Sequence, residues 1–189
     1  MRITVFAHDQ MYRPLFEEPT PAIEREHPLD GPHGFLLGGG ANLTLPEIGQ
    51  QYFDAADALV ELITSQEVED YKIGNPVIYL YRHSIELFLK AILPGTWGHN
   101  LEALAGKFEA FVRAEFAATV PDWIISRLKE ISRLDPDSAT FRYNQNSDLL
   151  HEGEFHVDLL HLQSAMHALN TALVGVIAAV ACGEGKREA

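Results

Sequence analysis

Apolar positions recur along most of this chain with the period of an α-helix. The clearest case is near the C-terminus, where Leu159, Leu162, Met166, Leu169, Leu173, Val176 and Val180 are spaced 3, 4, 3, 4, 3 and 4. That is the seam of a helix lying nearly parallel or antiparallel to its neighbours. It predicts a long last helix starting near Phe155–Val157 and ended by Gly183 and Gly185. Upstream, Thr44 can cap a first helix with Pro46 near its start and Ile48, Tyr52, Leu59 and Ile63 on its apolar face. Asn75-Pro76 reads as the start of a second, stopped by Pro94-Gly95. Asn100 can cap a third, whose face is Leu101, Leu104, Phe108 and Phe111. Pro121 opens a fourth carrying Ile124, Leu128 and Ile131, and Asp135-Pro136-Asp137-Ser138 breaks it.

The first 43 residues lack this pattern. They hold five of the ten prolines and five of the fourteen glycines, so long helices are not expected there. Arg2–Phe6 can form a short strand with Ile3 and Val5 on one face, and Gly38-Gly39-Gly40 lacks the strand and Gly-Lys-Ser/Thr frame of a phosphate loop. The expected organisation is an irregular arm over 1–43, an all-α, up-and-down bundle of four to five helices over 44–183, and a short tail over 184–189.

The 189 residues suit one such domain, and 47% hydrophobic content supplies its core. Fourteen basic against 27 acidic side chains give a net charge of −13, which argues against a protein whose whole surface grips a polyanion. RNA or nucleotide binding would have to be local. The single Cys182 excludes an internal disulfide. No signal-peptide core follows Met1, and the apolar run Leu169–Cys182 is shorter than the ~20 residues that span a bilayer, so a cytoplasmic protein without membrane contact is expected.

On a helical wheel the second helix is apolar over about 200°, far wider than a surface helix needs. It must therefore pack on more than one side. Arg82, Glu86, Tyr79, Lys90 and His83 form the remaining polar stripe. Arg82, Glu86 and Lys90 stand at i, i+4 and i+8, which suits either a solvated salt-bridge ladder or a polar line at a groove between helices.

The stretch Tyr81-Arg82-His83-Ser84-Ile85-Glu86-Leu87-Phe88-Leu89-Lys90-Ala91-Ile92-Leu93, followed by Gly98-His99-Asn100-Leu101 and Leu104, resembles the HEPN domain over about 25 residues. That family carries (A/S)-(V/I)-E-x-x-L-K-A-L on one helix and H-(D/N)-L-x-x-L opening the next. The resemblance implies a helical bundle, often a homodimer. Many members are metal-independent endoribonucleases of toxin–antitoxin, RNA-processing or phage-defence systems, and others are catalytically silent modules. The family's catalytic signature is R-x4–6-H near a late helix. The nearest pair in this sequence is Arg142 and His151, with eight residues between. In a ribonuclease the histidine would move a proton and the arginine would hold a phosphate, with Glu86 orienting either one. Arg82, His83, Lys90, His99 and Tyr143 are the accompanying candidates for binding.

The departure from the motif shifts the expectation to a silent module that dimerises and binds a protein partner or a nucleotide. A ribonuclease with a degenerate Arg/His pair is the alternative. No cofactor and no metal are expected. His151-Glu152-Gly153-Glu154-Phe155-His156 has one residue too many for H-E-x-x-H, so its two histidines fall far apart on a helix.

Overall fold

The structure is a computed structural model, and it describes residues 15–16, 38–39, 42–143 and 153–183. The chain divides into two compact units, 1–42 and 43–189. In the first unit, Gly38 and Gly39 both have positive φ. The strand expected at Arg2–Phe6 lies outside the described residues, as do Gly40 and the tail over 184–189.

The second unit is an all-α bundle, with no strand among its described residues. Its helices are α1 (Leu45–Thr64), α2 (Asp70–Ile92), α3 (Leu101–Phe116), α4 (Asp122–Leu134), a single turn α5 (Thr140–Tyr143) and α6 (Leu159–Ala181). The expected caps hold at three starts. Glu47 accepts from the Thr44 backbone N–H and hydroxyl, both at 2.7 Å, in a capping box. The Asn100 side chain accepts from the Ala103 N–H at 2.8 Å, and Pro121 immediately precedes α4.

Two starts differ from the sequence reading. Helix α2 begins at Asp70, six residues before Pro76, which lies inside it. Proline removes one backbone donor, and it is tolerated here because Tyr71, Lys72, Asn75 and Pro76 are exposed, leaving the forgone carbonyl open to water. Helix α6 begins at Leu159, where the Asp158 carboxylate accepts from the His161 N–H at 3.0 Å.

Helix α2 is central, and α1, α3, α5 and α6 all pack on it. Its wide apolar arc is thus used on several sides: Val77, Tyr81, Ile85, Phe88, Leu89 and Ile92 are all buried. They meet Phe53, Ala56 and Val60 of α1, Leu104 and Phe108 of α3, Leu128 of α4, and Met166, Leu169 and Leu173 of α6. A fully buried side chain of this size contributes about 1.5–3 kcal/mol.

The buried face of α1 is one residue round from the expected one. Gly49, Phe53, Ala56 and Val60 face inward, while Ile48, Tyr52, Leu59 and Ile63 lie at its half-buried flanks. At Gly49 a small residue is required because α1 and α2 approach closely there: a Cβ would stand 3.0 Å from the Phe88 ring. In α6 only the middle of the seam is fully buried. Leu159, Leu162 and Val176 are half-buried, and Val180 is 41% exposed. By length and composition α6 is the one helix among the described residues able to cross a membrane. The run Leu169–Cys182 alone is shorter, but the helix extends N-terminally through further apolar residues.

Candidate functional site

The polar stripe of α2 does not face water. Arg82 and Glu86 lie 2.9 Å apart (Nη1 to Oε2) with 0% and 1% of their side chains exposed. The solvated ladder is therefore replaced by a buried network. The Arg82 Nη2 donates to the His99 carbonyl at 2.6 Å, and its Nε donates to the Asp135 carbonyl at 3.1 Å. The same Nε is 3.0 Å from Asp135 Oδ2. That oxygen is buried and gets no aligned hydrogen bond among the described residues, where the guanidinium charge compensates it. Asp135 Oδ1 accepts from the backbone N–H groups of Ala139 and Thr140 at 2.8 and 2.9 Å, fixing the turn into α5.

Glu86 Oε1 takes the Lys90 Nζ at 2.7 Å and the His99 Nδ1 at 2.8 Å. An ionised carboxylate can only accept, so Nδ1 is the protonated nitrogen of His99. Burial alone would raise the Glu86 pKa, but the hydrogen bonds from Lys90, His99 and Arg82 outweigh it and hold the carboxyl below its ordinary value. Two carboxylates, Glu86 and Asp135, thus face two fixed cations, Arg82 and Lys90. The group is electrically closed, and Glu86 is a poor proton acceptor.

An aromatic row lies beside this network. The His83 ring stacks on Tyr79 (centroids 5.7 Å, planes 9° apart) and meets Tyr52 edge-on at 4.5 Å. Burial lowers the His83 pKa, and the nearby Arg82 and Lys90 charges push the same way against Glu86. The Arg142 guanidinium sits over Tyr79 at 5.6 Å and over Tyr143 at 5.0 Å, and its Nε donates to the Ser138 carbonyl. Arg142 therefore reaches the stripe at Tyr79 and not at Glu86, and it stays exposed. It is Arg82, and not Arg142, that ties the Asp135 turn to the bundle. His151, the expected partner of Arg142, lies outside the described residues, and Tyr143 is 62% exposed. The structure thus brings together Arg82, Glu86, Lys90 and His99, with His83 adjoining them and Arg142 and Tyr143 at the far end of the aromatic row.

A second polar cluster escaped the sequence reading. Asp57 of α1 accepts from the Tyr81 hydroxyl and, at 3.3 Å, from Gln163, and its Oδ2 is 2.9 Å from His167 Nε2. It joins α1, α2 and α6. The available signal was Asp57 itself, a carboxylate four residues after Phe53 and three before Val60 on the inward face. Burial, the bond to Asp57 and the carboxylate charge all raise the Tyr81 pKa. Among the described residues no group of three or more His, Cys, Asp or Glu side chains could hold a metal ion.

No family model, curated protein or solved structure matches the chain.

Proposed function

We propose that this chain is a HEPN-like helical module that works as a homodimer by binding, without catalysis, in a stress, toxin or phage-defence type system. One observation carries the reading. The two halves of the motif, on α2 and at the start of α3, are joined through Arg82, Glu86, Lys90 and His99. Their polar atoms are engaged with one another, which makes them a structural clasp. Glu86, held ionised by three donors, has no proton to give and is a poor base.

The binding edge is what the clasp leaves outside: the exposed Arg142 on the faces of Tyr79 and Tyr143. On a chain of net charge −13, a protein partner's acidic group or a nucleotide phosphate would be held at this local cationic edge. The runner-up, a metal-independent endoribonuclease, is favoured by the same exposed guanidinium, which could hold a phosphate for His151. Incubating a mixed RNA pool with the folded protein in EDTA separates the two. The expected result is no cleavage. Cleavage by the wild type that is lost in both Arg142→Ala and His151→Ala would replace the binding module with the ribonuclease.

A further inference from the structure

Helices α4 and α6 leave a gap between them. Helix α6 packs on α2 and α4 packs on α3, but α4 and α6 make no extended contact among the described residues. The gap is a cavity of about 210 Å³. Ile131 and Leu134 line it from α4, Leu162 and Met166 from α6, Ile78 from α2 and Phe141 from α5. Met166 is buried, but Ile131, Leu134 and Leu162 are only half-buried, because nothing fills the space between the two helices. Phe155, on the stretch leading into α6, lies at its edge and is 54% exposed. The charged lining is unequal. Arg127 Nη1 is 2.8 Å from Glu130 Oε2, so those two charges offset each other. Asp158 is held ionised by the backbone N–H groups of His161 and Leu160, which bring no net charge of their own. Two carboxylates thus face the gap against one guanidinium, and the histidine rings of His156 and His161 complete its polar side.

We propose that the gap between α4 and α6 binds a small organic ammonium, with one apolar ring inside and the ammonium at the Asp158 lip. Size selects the ring. An apolar cavity of roughly 150 Å³ holds benzene, whereas drug-sized ligands need ~300 Å³ or more. This gap therefore takes one ring and a short arm, and it is too small for a helix or a peptide. Its apolar walls give water too few partners to compete. Charge selects the head. The unmatched carboxylate, on a body of net charge −13, draws cations and repels carboxylates. The exposed Phe155 ring adds the aromatic surface that an ammonium favours. The site shares no residue with the Arg142 edge and stands independently of the reading proposed above.

Calorimetric titration of the full chain at about pH 8, where alkylammonium groups keep their proton, tests the site. Three probes share one ring and differ in the head: phenethylamine, phenethyl alcohol and hydrocinnamate. The ammonium is expected to bind at least ~10-fold more tightly than the carboxylate, with the alcohol between them. Asp158→Asn keeps the helix cap, since asparagine caps as well as aspartate, and should bring the ammonium down to the level of the alcohol. Ala165→Phe fills the gap from α6 and should abolish binding of all three probes, with circular dichroism checking the fold. No binding of phenethylamine by the wild type would overturn the proposal, as would tighter binding of hydrocinnamate. Binding that survives a folded Ala165→Phe would put the ligand elsewhere and overturn it too. If Ala165→Phe does not fold, the Asp158→Asn comparison decides, and an unchanged preference for the ammonium there overturns the site.

Discussion

The Arg82 guanidinium donates to the Glu86 carboxylate at 2.9 Å, and both groups are sealed from solvent. An i, i+4 pair on an exposed helix contributes only about 0.3–0.5 kcal/mol. Here the pair also holds the His99 loop and the Asp135 turn to α2, so its removal has different consequences at its core and at its rim.

Arg82→Met is expected to cost about 3–5 kcal/mol, because Asp135 loses the guanidinium that faces it in a buried place. Lys90→Met, at the partly exposed rim, should cost under about 1 kcal/mol. Urea unfolding of the two variants measures the difference. Combining Arg82→Met with Glu86→Leu should be less damaging than the sum of the singles, with a coupling on the order of 1–3 kcal/mol. Equal costs for Arg82→Met and Lys90→Met would show that the buried pair holds nothing in place.

The Tyr81 hydroxyl is the only donor from α2 to Asp57. Tyr81→Phe should lower stability by about 1–2 kcal/mol, since Asp57 keeps its contacts from α6. A second readout is specific to the hydroxyl. Burial and the Asp57 charge push this phenol above the ordinary tyrosine range. In ultraviolet titration of the native protein Tyr81 should stay protonated while exposed tyrosines ionise. The native titration amplitude of Tyr81→Phe should therefore match that of the wild type, and a smaller amplitude would contradict the assignment.

Local periodicity made the apolar faces of α3, α4 and the middle of α6 readable, because those faces follow from spacing within one helix. The wide arc of α2 likewise announced a helix packed on more than one side. The burial of Arg82 was not readable in this way. Its partners stand 17 and 53 residues away, at His99 and Asp135, and no local pattern encodes the loops that cover it. Large side chains misled the reading of α1, where Ile48 drew attention from its neighbour Gly49. Close helix contact favours the small residue, and the sequence alone does not say which helices approach closely. Pro76 misled in a similar way, since a proline on the exposed side of an early turn need not start a helix.

Two glycines in helices should respond oppositely to alanine. At Gly106, exposed in α3, an added Cβ meets nothing within 4 Å. Gly106→Ala should stabilise by about 0.5–1 kcal/mol through helix propensity. At Gly49 the Cβ would stand 3.0, 3.2 and 3.3 Å from three atoms of the Phe88 ring, which is 1% exposed and cannot swing away. Gly49→Ala should destabilise by roughly 1–3 kcal/mol. Thermal melts of both variants provide the check, and a stabilising Gly49→Ala would mean that α1 and α2 are farther apart than the structure places them.

Acid should weaken the bundle in two stages, and the signs can be worked out group by group. His83 has its pKa lowered by burial from 6.5, so below that value the unfolded chain binds a proton that the folded one refuses. Unfolding then takes up protons, and stability falls as pH drops from about 7 through the unfolded His83 value. The decline from this group ends once the folded ring also protonates. Glu86 has its pKa lowered from 4.5 by its three donors, so its contribution is complete above that value and is lost as pH falls through the lower, folded one. Urea midpoints measured from about pH 8 down to about pH 4 should therefore fall first near neutrality and again in the carboxylate range. His83→Gln removes the titrating ring, so the comparison is of slopes and not of absolute stabilities. The variant should be flatter than the wild type between about pH 7 and pH 5 and should keep the later acid limb. An unchanged slope in His83→Gln would mean that the proton is taken up elsewhere. Loss of the later limb in Glu86→Gln, with His83 intact, would assign that stage to the clasp.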